Sequence, residues 1–576
     1  MEPWFIRYPK RYRREKSELR DAGFQAREAL LAKEAGIIQL HVDFFHKGKP
    51  YSVVVEYPTF YPYMPFQMVS KDIPKGRHLG EYGGAVCFLE DVHQNWEPHY
   101  TLAHIIDTQV RGVIDRNLEP SDDPTKEGLY ASPASGHIRY RDNCGILVPN
   151  FSIPEGHRYG HATLSHGPHV NLKKTPSGHI SKVTGTSKQD VLYTVGDDLP
   201  NLAGVDPMQL KNQGVRWVRL DRPPAAADDG ILDEAIRAWP ELEKPNYRNG
   251  VDITAIIFQE ESTYKCKQVA WVFVVREKQL GVTEPLYFNV RADILDPQIV
   301  IARTSRTKPL TGKKVVLIGC GALGSTIGFQ LGRMNLNHLV LIDGDHLKYG
   351  NLPRWIAGAS ATGRDKVSVL RELITDANPM INVTTHPLKF GDINQREPEQ
   401  EMLNDVFDAD LIIDATAEFA ASHLITLLAK EHAIPCIHVS ATNGGFGGIV
   451  GRYMPEPEAF CWSCMQEALY QERPEFQDDD YRIRLPATEP GEPTEVRGCF
   501  HPTFIGTGFD LDAISMQAVR LAVATLCRGA EGAYPDLDWD IAVIDLWDED
   551  KSIPIDPKMT TYRFAGAHRL CRKPHE

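Results

Sequence analysis

Short apolar runs separated by helix-length segments dominate the C-terminal half of the chain. The runs lack the alternation of a half-exposed strand, and they cover residues 314–318, 339–343, 411–414 and 437–440. Continuous apolar runs of this length are typical of parallel strands that are buried on both faces. Their succession with intervening helices predicts an α/β domain over residues 306–576.

The first 135 residues follow a different pattern and are rich in aromatic residues and prolines. A helical periodicity over residues 12–33 precedes strand-like segments at 37–45 and 51–57. We therefore expect an α+β domain over residues 1–135.

The middle block, residues 136–305, is interrupted throughout by Gly, His and Pro. Its predicted strands lie at residues 216–220, 252–259 and 269–275, and residues 221–230 form a predicted surface loop. We expect a mixed, β-rich linker or positioning domain here. Four histidines lack metal-ligand spacing and are expected to lie in solvated loops without a chemical role: His157, His161, His166 and His169.

Composition and charge narrow the class of protein. At 576 residues the chain is too long for one hydrophobic core. The net charge of -14 argues against a general nucleic-acid binder, which needs a basic face. There is no run of about 18 apolar residues and no apolar signal segment, so we expect no membrane association. The 10 cysteines indicate reduced thiols in a cytoplasmic protein rather than a disulfide framework.

A glycine-rich turn follows the first predicted strand of the α/β domain, in the sequence Gly319-Cys-Gly321-Ala-Leu-Gly324. Gly319 would allow the tight turn, Gly321 the approach of a phosphate, and Gly324 close packing of the helix. The start of that helix would offer free amides to an anion. Asp343 ends the next strand, where an acidic residue can hold a ribose hydroxyl. These features alone fit an ordinary dehydrogenase equally well.

Charged residues farther along the chain distinguish an ATP site from the dinucleotide site of a dehydrogenase. Cations at Arg354 and Lys366 and a strand-end carboxylate, Asp414, suit a triphosphate with a magnesium ion. A dinucleotide needs no such set, and Mg²⁺ usually takes only one or two protein carboxylates. The order of these residues therefore favours ATP.

The segment from about residue 306 to residue 530 resembles the ThiF/MoeB family and the activating enzymes of ubiquitin-like proteins. The D-x-D, N-L-x-R, Lys and strand-end Asp elements occur in the order found in that family. The resemblance implies a Rossmann-like adenylation fold, a homodimer, and ATP and Mg²⁺ as cofactors. It also implies acyl adenylation, in which a protein's C-terminal carboxylate attacks the α-phosphate and pyrophosphate leaves. The residues implied to bind the nucleotide are Gly319, Gly321, Gly324, Asp343, Asp345, Asn351, Arg354, Lys366 and Asp414. The resemblance implies that Asp343 holds the ribose, that Asn351, Arg354 and Lys366 contact the phosphates, and that Asp414 holds magnesium or orients the carboxylate being adenylated.

Adenylation yields a reactive mixed anhydride, which a thiolate can capture as a thioester. Cys499 is the candidate, because it follows a Pro/Glu-rich stretch and is flanked by Arg497 and His501, which would favour the thiolate. Activating enzymes similar to this chain carry their cysteine on a mobile crossover segment in this region. Cys527, on the apolar face of a predicted helix, is the second candidate and suits a core position better.

Cys461 and Cys464 have the C-x-x-C spacing of half a tetrahedral zinc site. In the family that the segment resembles, zinc is often held at this place. No second C-x-x-C pair occurs, so Cys571, His568 or Cys527 would have to complete a Zn²⁺ site.

A proline-rich turn, a cysteine loop and a W-x-P element occur in this order in the N-terminal block. The turn contains Pro62, the cysteine is Cys87, and the third element starts at Trp96. Together with the order of helix, strands, cysteine loop and helix, they resemble ubiquitin-conjugating enzymes. The resemblance implies that Cys87 receives the acyl group by transthiolation and presents it to an amine. The His-Pro-Asn element of that family is missing, because His78 begins a His-Leu-Gly sequence, so another oxyanion donor is needed.

A chain that combines these two parts resembles the conjugating–activating fusion proteins of bacterial CBASS antiviral operons, the CD-NTase-associated protein 2 type. That architecture implies ligation of the C-terminus of a cyclic-nucleotide synthase to a target amine. Two alternatives stay open. One is a ThiF/MoeB-like activator for sulfur transfer, for which Cys87 is dispensable. The other is a non-catalytic scaffold with an inactive conjugating domain.

Overall fold

The structure is a computed structural model. It describes residues 2–74, 79, 84–89, 91–119, 133–195, 209–224, 230–263, 266–279, 281–282, 284–391, 400–456, 459–469, 483–484, 486, 504–548, 550–564 and 566. The chain divides into two compact units. The first comprises Met1–Val195 and Met208–Leu295 and holds two β-sheets, and the second contains Asp296–Glu576 and holds a third. The finer division at residues 135/136 and 305/306 stays a prediction.

The first sheet is an antiparallel meander of four strands, packed against helices that precede and follow it. Its strands are β1 (Gln25–Glu28), β2 (Ile38–His46), β3 (Lys49–Tyr57) and β4 (Gln67–Val69). Alternating residues of β2 and β3 are buried, which gives the sheet one core face. The helices are α1 (Trp4–Arg7), α2 (Pro9–Asp21), α3 (Leu30–Glu34), α4 (Val92–Asn95), α5 (Leu102–Ile105) and α6 (Arg111–Leu118), and π-helical Ile106–Val110 joins the last two.

The helix expected over residues 12–33 is wrong beyond Asp21, where α2 ends. Gly23 has φ of 76°, a conformation that side-chain-bearing residues rarely adopt. The amides of Gly23 and Phe24 bond back to the carbonyls of Arg20 and Leu19, which closes the helix with a Schellman motif. The periodicity continued past this glycine, but the glycine decided where the helix stops.

The second sheet closes on itself, because β5 pairs with both β12 and β7. Seven strands form this ring, in the order β5-β12-β11-β10-β9-β6-β7, and β8 adds to the outside of β7. Two separate groups of buried apolar residues fill the two faces of the sheet, and α7 (Ile231–Ala238) contributes to the second. The strands are β5 (Gly145–Pro149), β6 (Tyr159–His166), β7 (Ser177–Thr184), β8 (Val191–Thr194), β9 (Lys211–Arg219), β10 (Val251–Thr263), β11 (Cys266–Glu277) and β12 (Leu286–Leu295).

The expected strands of the middle block are confirmed as parts of β9, β10 and β11. The expectation of solvated loops is wrong for His161 and His166, since both lie in β6 and His166 is buried. His157 forms a partly exposed pair with Asp190, with 2.9 Å between its Nε2 and a carboxylate oxygen. We assign no chemical role to these histidines.

The third sheet has eight strands in the order β15-β14-β13-β16-β17-β18-β19-β20. The first five are parallel, and β18 to β20 continue the sheet antiparallel. The four strands expected here are confirmed as β13, β14, β16 and β17. The strands are β13 (Lys314–Ile318), β14 (His338–Ile342), β15 (Asn382–His386), β16 (Leu411–Asp414), β17 (Cys436–Ala441), β18 (Gly447–Tyr453), β19 (Ile541–Trp547) and β20 (Pro554–Tyr562).

Helices pack on both faces of this sheet, which is why its central strands are buried throughout. The helices are α8 (Pro297–Arg303), α9 (Ala322–Gly332), α10 (Lys366–Ala377), α11 (Gln400–Phe407), α12 (Phe419–Glu431), α13 (Trp462–Leu469) and α14 (Gly508–Leu526). Ile318 lies opposite Ile342 and Asp414, so β13, β14 and β16 end at one edge of the sheet. Among the described helices none has both the length and the apolar character needed to cross a bilayer.

Candidate active site

The turn that follows β13 accepts only glycine at its first position. Gly319 has φ of 91°, and its amide donates to the carbonyl of Ile342 over 2.8 Å. A Cβ at Gly319 would lie 2.6 Å from the carbonyl oxygen of Ala415, just beyond β16. The ends of β13 and β16 therefore approach as closely as the missing side chain allows.

At the start of the helix that follows the turn, one glycine has space for a side chain and another has none. Gly321 precedes α9, and a Cβ there would have no heavy atom within 4 Å. A Cβ at Gly324 would overlap the carbonyl oxygen of Gly319 and lie 2.9 Å from its carbonyl carbon. The first helical bond runs from the Ser325 amide to the Gly321 carbonyl over 2.9 Å, so the preceding amides have no partner within the helix. Open space next to free amides suits an anion.

Asp343 supports the turn from the end of β14. Its two carboxylate oxygens accept the amides of Cys320 and Asp345, each over 2.7 Å. Burial raises the pKa of Asp343, while the charge of Lys366 and the two amides act in the opposite direction. The sequence predicted Asp343 as a ribose ligand, and the structure adds that it ties the glycine turn to the strand end.

A lysine from the next helix reaches the same edge. Lys366, the first residue of α10, places its Nζ 2.8 Å from an oxygen of Asp345. The lysine side chain is only 10% exposed, whereas that of Asp345 is 71% exposed. Burial alone would raise the pKa of Asp345, but the hydrogen bond and charge of Lys366 lower it. A buried ammonium beside the open helix start is placed to meet a phosphate.

The two residues predicted from the N-L-x-R element lie in one 3₁₀ turn, Tyr349–Arg354. The side-chain oxygen of Asn351 accepts the amide of Lys348 over 2.9 Å, which fixes the start of the turn. Burial lowers the pKa of Arg354, whose guanidinium carbon lies 5.8 Å from the centre of the Phe504 ring. Within the described part of the chain, no carboxylate pairs with this guanidinium.

Sequence reasoning missed the residue that joins this turn to the glycine turn. The indole nitrogen of Trp355 donates to the carbonyl of Cys320 over 2.8 Å, and the ring is buried. At the other side, a Cβ on Gly508 would lie 2.8 Å from the carbonyl oxygen of Pro353, so α14 begins against this turn. A tryptophan directly after the N-L-x-R element was the available signal.

The strand-end carboxylate Asp414 is almost fully covered, with 1% of its side chain exposed. One oxygen accepts the amide of Thr416 over 3.0 Å and its hydroxyl over 2.7 Å, and the other lies 2.9 Å from Nδ1 of His438. Burial alone would raise the pKa of Asp414, but His438, Ser422 and Thr416 lower it below its usual range. Sequence reasoning missed these partners. A hydroxyl residue two positions after a strand-end Asp was a local signal, whereas His438 had none.

The structure thus brings the predicted glycines, Asp343, Asp345, Lys366 and Asp414 together at the C-terminal ends of three neighbouring strands. It places Asn351 and Arg354 on a turn that is hydrogen-bonded to that edge through Trp355. The donor set fits a nucleoside triphosphate with a magnesium ion. Free helix amides and two cations suit the phosphates, and a strand-end carboxylate suits the metal.

The cysteines differ sharply in accessibility. Cys87 is exposed, whereas Cys320, Cys436 and Cys527 are buried. Cys527 caps the end of α14, is 1% exposed, and has a pKa raised by burial, which disfavours it as an acyl acceptor. Cys499 lies outside the described residues, as do Arg497 and His501.

The C-x-x-C pair opens α13, with 3.5 Å between the sulfurs of Cys461 and Cys464. No group of three metal-ligating side chains occurs among the described residues. Cys527 is therefore not part of such a group, and Cys571 and His568 lie outside the described range. The described residues do not fit a zinc site.

In the first unit, Cys87 lies directly after a short extension of the first sheet. Ala85 bridges Val69 of β4, and the Val86 amide donates to the carbonyl of Met68 over 2.9 Å. The next residue, Phe88, is buried and anchors one side of the cysteine, whereas Cys87 itself is exposed.

The elements around this cysteine contact each other. The Phe66 ring lies 5.2 Å from Phe88 and 5.3 Å from Trp96, measured between ring centres. The indole nitrogen of Trp96 donates to the carbonyl of Pro62 over 2.8 Å. The proline-rich turn and the W-x-P element, which are distant in sequence, thus form one support under the cysteine segment.

Residues 295–525 match the ThiF family. The chain carries a ThiF/MoeB-type, E1-like adenylation domain. The glycine turn, Lys366 and Asp414 all lie within the matched residues, and the chain is thus an enzyme with an E1-like adenylyltransferase domain.

The chain is also similar to three individual proteins. The chain is 25% identical to the uncharacterized protein y4oA of Sinorhizobium fredii, over 96% of this chain and 94% of that protein. It is 29% identical to the sulfur carrier protein ThiS adenylyltransferase of Escherichia coli, over 27% of this chain and 59% of that protein. It is 30% identical to the ATP-dependent ubiquitin transferase-like protein Cap2 of Enterobacter hormaechei, over 20% of this chain and 18% of that protein. Only the first likeness includes most of the N-terminal unit.

Proposed function

We propose that the chain activates the C-terminal carboxylate of a protein with ATP and transfers it, through its own cysteines, to an amine. The observation that carries the first step is the edge where β13, β14 and β16 end. Free amides beside Gly321, the buried ammonium of Lys366 and the carboxylate of Asp414 all lie there. The match of this region to the ThiF family supports the same reaction.

Each residue at this edge has a place in that reaction. The amides at the start of α9, with Asn351, Arg354 and Lys366, would hold the phosphates, and Asp343 would hold the ribose. Asp345 would keep Lys366 in place, and Asp414 would hold Mg²⁺. ATP supplies the phosphoanhydride: the substrate carboxylate forms a bond to the α-phosphorus, and the bond to pyrophosphate breaks. Cations around the phosphates favour this step because they neutralise the negative charge of the leaving pyrophosphate.

The following steps use the cysteines. The Cys499 thiolate attacks the acyl carbon and AMP leaves, and the Cys87 thiolate then takes the acyl group and releases Cys499. A target amine attacks the second thioester and forms an amide, and Cys87 leaves as a thiolate that takes up the proton lost by the amine. The exposure of Cys87 and its anchorage through Phe88 support this role.

One part of the last step has no assigned residue. A tetrahedral intermediate needs a hydrogen-bond donor for its oxyanion, and the His-Pro-Asn element that supplies it in conjugating enzymes is missing here. His78 lies outside the described residues. We propose that a donor comes from Asn95 or His93, near Cys87 in sequence, or from backbone amides.

The substrate proposal is a CD-NTase in CBASS antiviral defence, with the enzyme acting as a homodimer. Its support is the partial likeness to Cap2 and the presence of an exposed cysteine in a separate unit of the same chain. Because the adenylation domain and Cys87 lie in one chain, the effective concentration of the thioester for its acceptor is raised.

Thioester formation by cysteine variants tests the order of the relay. The protein is incubated with ATP, Mg²⁺ and a CD-NTase, and adducts are separated on gels with and without a thiol reductant. We expect ATP-dependent, thiol-sensitive adducts that Asp414→Ala abolishes. Cys87→Ala should retain an adduct, and Cys499→Ala should prevent loading of Cys87. Cys144→Ala, a partly exposed cysteine of the same unit, serves as the control and should behave as the wild type.

Three outcomes would contradict parts of the proposal. Loading of Cys87 in Cys499→Ala would remove Cys499 as the intermediate. Full activity of Cys87→Ala would favour the alternative of sulfur transfer, which the likeness to the ThiS adenylyltransferase supports. Failure of the wild type to form any adduct with a CD-NTase would refute the proposed substrate.

A further inference from the structure

A histidine with no role in the proposed chemistry lies directly beside the strand-end carboxylate. His438 is the third residue of β17, and the parallel pairing of β16 and β17 places it opposite Asp414. Opposed residues of neighbouring strands project to the same face of a sheet. The contact therefore follows from strand register and holds as long as the two strands pair.

The hydrogen bonds of this pair fix the proton on the imidazole. Nδ1 of His438 lies 2.9 Å from one oxygen of Asp414, and both side chains are buried, with 3% and 1% exposed. Nε2 is also buried and has no hydrogen-bond partner among the described residues. A proton on Nε2 would leave a buried donor unpaired, so the favoured tautomer carries its proton on Nδ1 and donates to Asp414.

An aromatic side chain closes the other side of the imidazole. The ring centre of Trp462 lies 4.1 Å from that of His438, with 55° between the planes. Trp462 is itself buried as the first residue of α13. The imidazole is therefore packed against a second element and not free to turn away from Asp414.

The same contacts limit the number of further groups that the carboxylate of Asp414 can bind. A carboxylate has about four lone-pair positions, and Asp414 uses three of them for His438 and the two donors of Thr416. The remaining position is the one that an ion or a substrate group can use, and the nearby buried hydroxyl of Ser422 competes for it. Its direction is set by the three donors, which hold both oxygens of the carboxylate at once.

We infer that His438 is a positioning residue that holds Asp414 in the one orientation able to serve a magnesium–nucleotide complex. The inference rests on the proposed function of the site. It gives a reason for a buried histidine in the third sheet, where an apolar residue would otherwise pack without an unpaired ring nitrogen.

Nucleotide binding with and without magnesium tests the inference in the full-length protein. The probe is AMPCPP, a non-hydrolysable ATP analogue, titrated calorimetrically in excess Mg²⁺ and again in EDTA. The ratio of the two dissociation constants measures what the metal contributes. We expect His438→Leu and Asp414→Asn to reduce this ratio by about tenfold, because a charge-assisted contact is lost. Affinity in EDTA should stay close to that of the wild type.

Two conservative variants separate positioning from mere packing. An asparagine at 438 can place its amide nitrogen where Nδ1 lies, whereas a glutamine places it nearer to Nε2. His438→Asn should therefore restore most of the magnesium effect, and His438→Gln should not. His338→Leu is the control, since His338 begins β14 at the opposite edge of the sheet and bonds Thr384 over 2.8 Å.

The outcomes distinguish the inference from the function on which it rests. An unchanged magnesium effect in His438→Leu, with the effect lost in Asp414→Asn, would overturn the inference and leave the proposed function standing. Equal loss in His438→Leu and His438→Asn would show a structural role and overturn it as well. Failure of the wild type to bind AMPCPP would overturn the proposed function, and the inference with it.

Discussion

Two glycines at the start of α9, Gly321 and Gly324, allow stability and nucleotide binding to be perturbed separately, each by one added methyl group. In Gly324→Ala the new Cβ overlaps the carbonyl oxygen of Gly319 and lies 2.9 Å from its carbonyl carbon and 3.4 Å from Cβ of Ala415. The obstacle is backbone, which cannot turn aside as a flexible side chain can. In Gly321→Ala the new Cβ meets no heavy atom within 4 Å.

The size of the two effects follows from these contacts. Overpacking costs about 1–3 kcal/mol, and a backbone obstacle places Gly324→Ala near the upper end. Replacing glycine by alanine within a helix returns about 1 kcal/mol, so about 2 kcal/mol of destabilisation remains. In a unit of about 280 residues, that lowers Tm by about 3–4 °C. Gly321→Ala replaces a favourable residue at the helix N-cap and should cost about 1 kcal/mol or less.

AMPCPP binding should be weakened more by Gly321→Ala than by Gly324→Ala, which is the reverse of their order for stability. If a phosphate approaches the helix amides beside Gly321, the methyl group of Gly321→Ala takes its space, and we expect AMPCPP affinity to fall at least about tenfold. Thermal unfolding without ligand and calorimetric titration of AMPCPP with Mg²⁺ measure the two effects. A wild-type Tm in Gly324→Ala would refute the packing argument. Wild-type affinity in Gly321→Ala would refute the placement of the phosphate.

Three further predictions test other parts of the molecule. Lys366→Met should weaken AMPCPP binding at least about tenfold in calorimetry, whereas Lys313→Met, which removes the partly exposed pair with Asp410 at the opposite strand end, should not; equal losses would contradict a specific role. Iodoacetamide should label Cys87 at least about tenfold faster than the buried Cys527 when followed by peptide mass spectrometry, and equal rates would refute the assigned exposures. Burial raises the pKa of Glu15, so its contribution to stability is present below the ordinary glutamate pKa of about 4.3 and is lost as the pH rises through the raised value. Denaturant unfolding should therefore show the wild type losing stability relative to Glu15→Gln as the pH rises, and a constant difference would contradict this.

Local patterns predicted those features of the adenylation domain that depend on local sequence. The apolar run of residues 314–318 is β13, because burial on both faces leaves no reason for polar residues to alternate. The glycine at 319 announced a turn, and its φ of 91° shows why no other residue would serve. The helix over residues 12–33 failed because periodicity says little about where a helix ends, whereas Gly23 does.

Contacts between distant segments could not be predicted from the sequence. Asp414 was predicted from its position after an apolar run, but its partner His438 is 24 residues away and meets it only through strand register. The bond from Trp355 to Cys320 likewise depends on how the N-L-x-R turn packs. The closed ring of the second sheet depends on β5 pairing with β7, strands that no short-range signal connects.

The products formed from ATP test the central claim most directly. The full-length protein is incubated with ATP, Mg²⁺ and a CD-NTase with an intact C-terminus, and the nucleotides are separated by chromatography. Attack of a carboxylate on the α-phosphorus predicts AMP and pyrophosphate, formed only when the C-terminus is present and lost in Asp414→Asn. Formation of ADP and inorganic phosphate instead would contradict adenylation at this site.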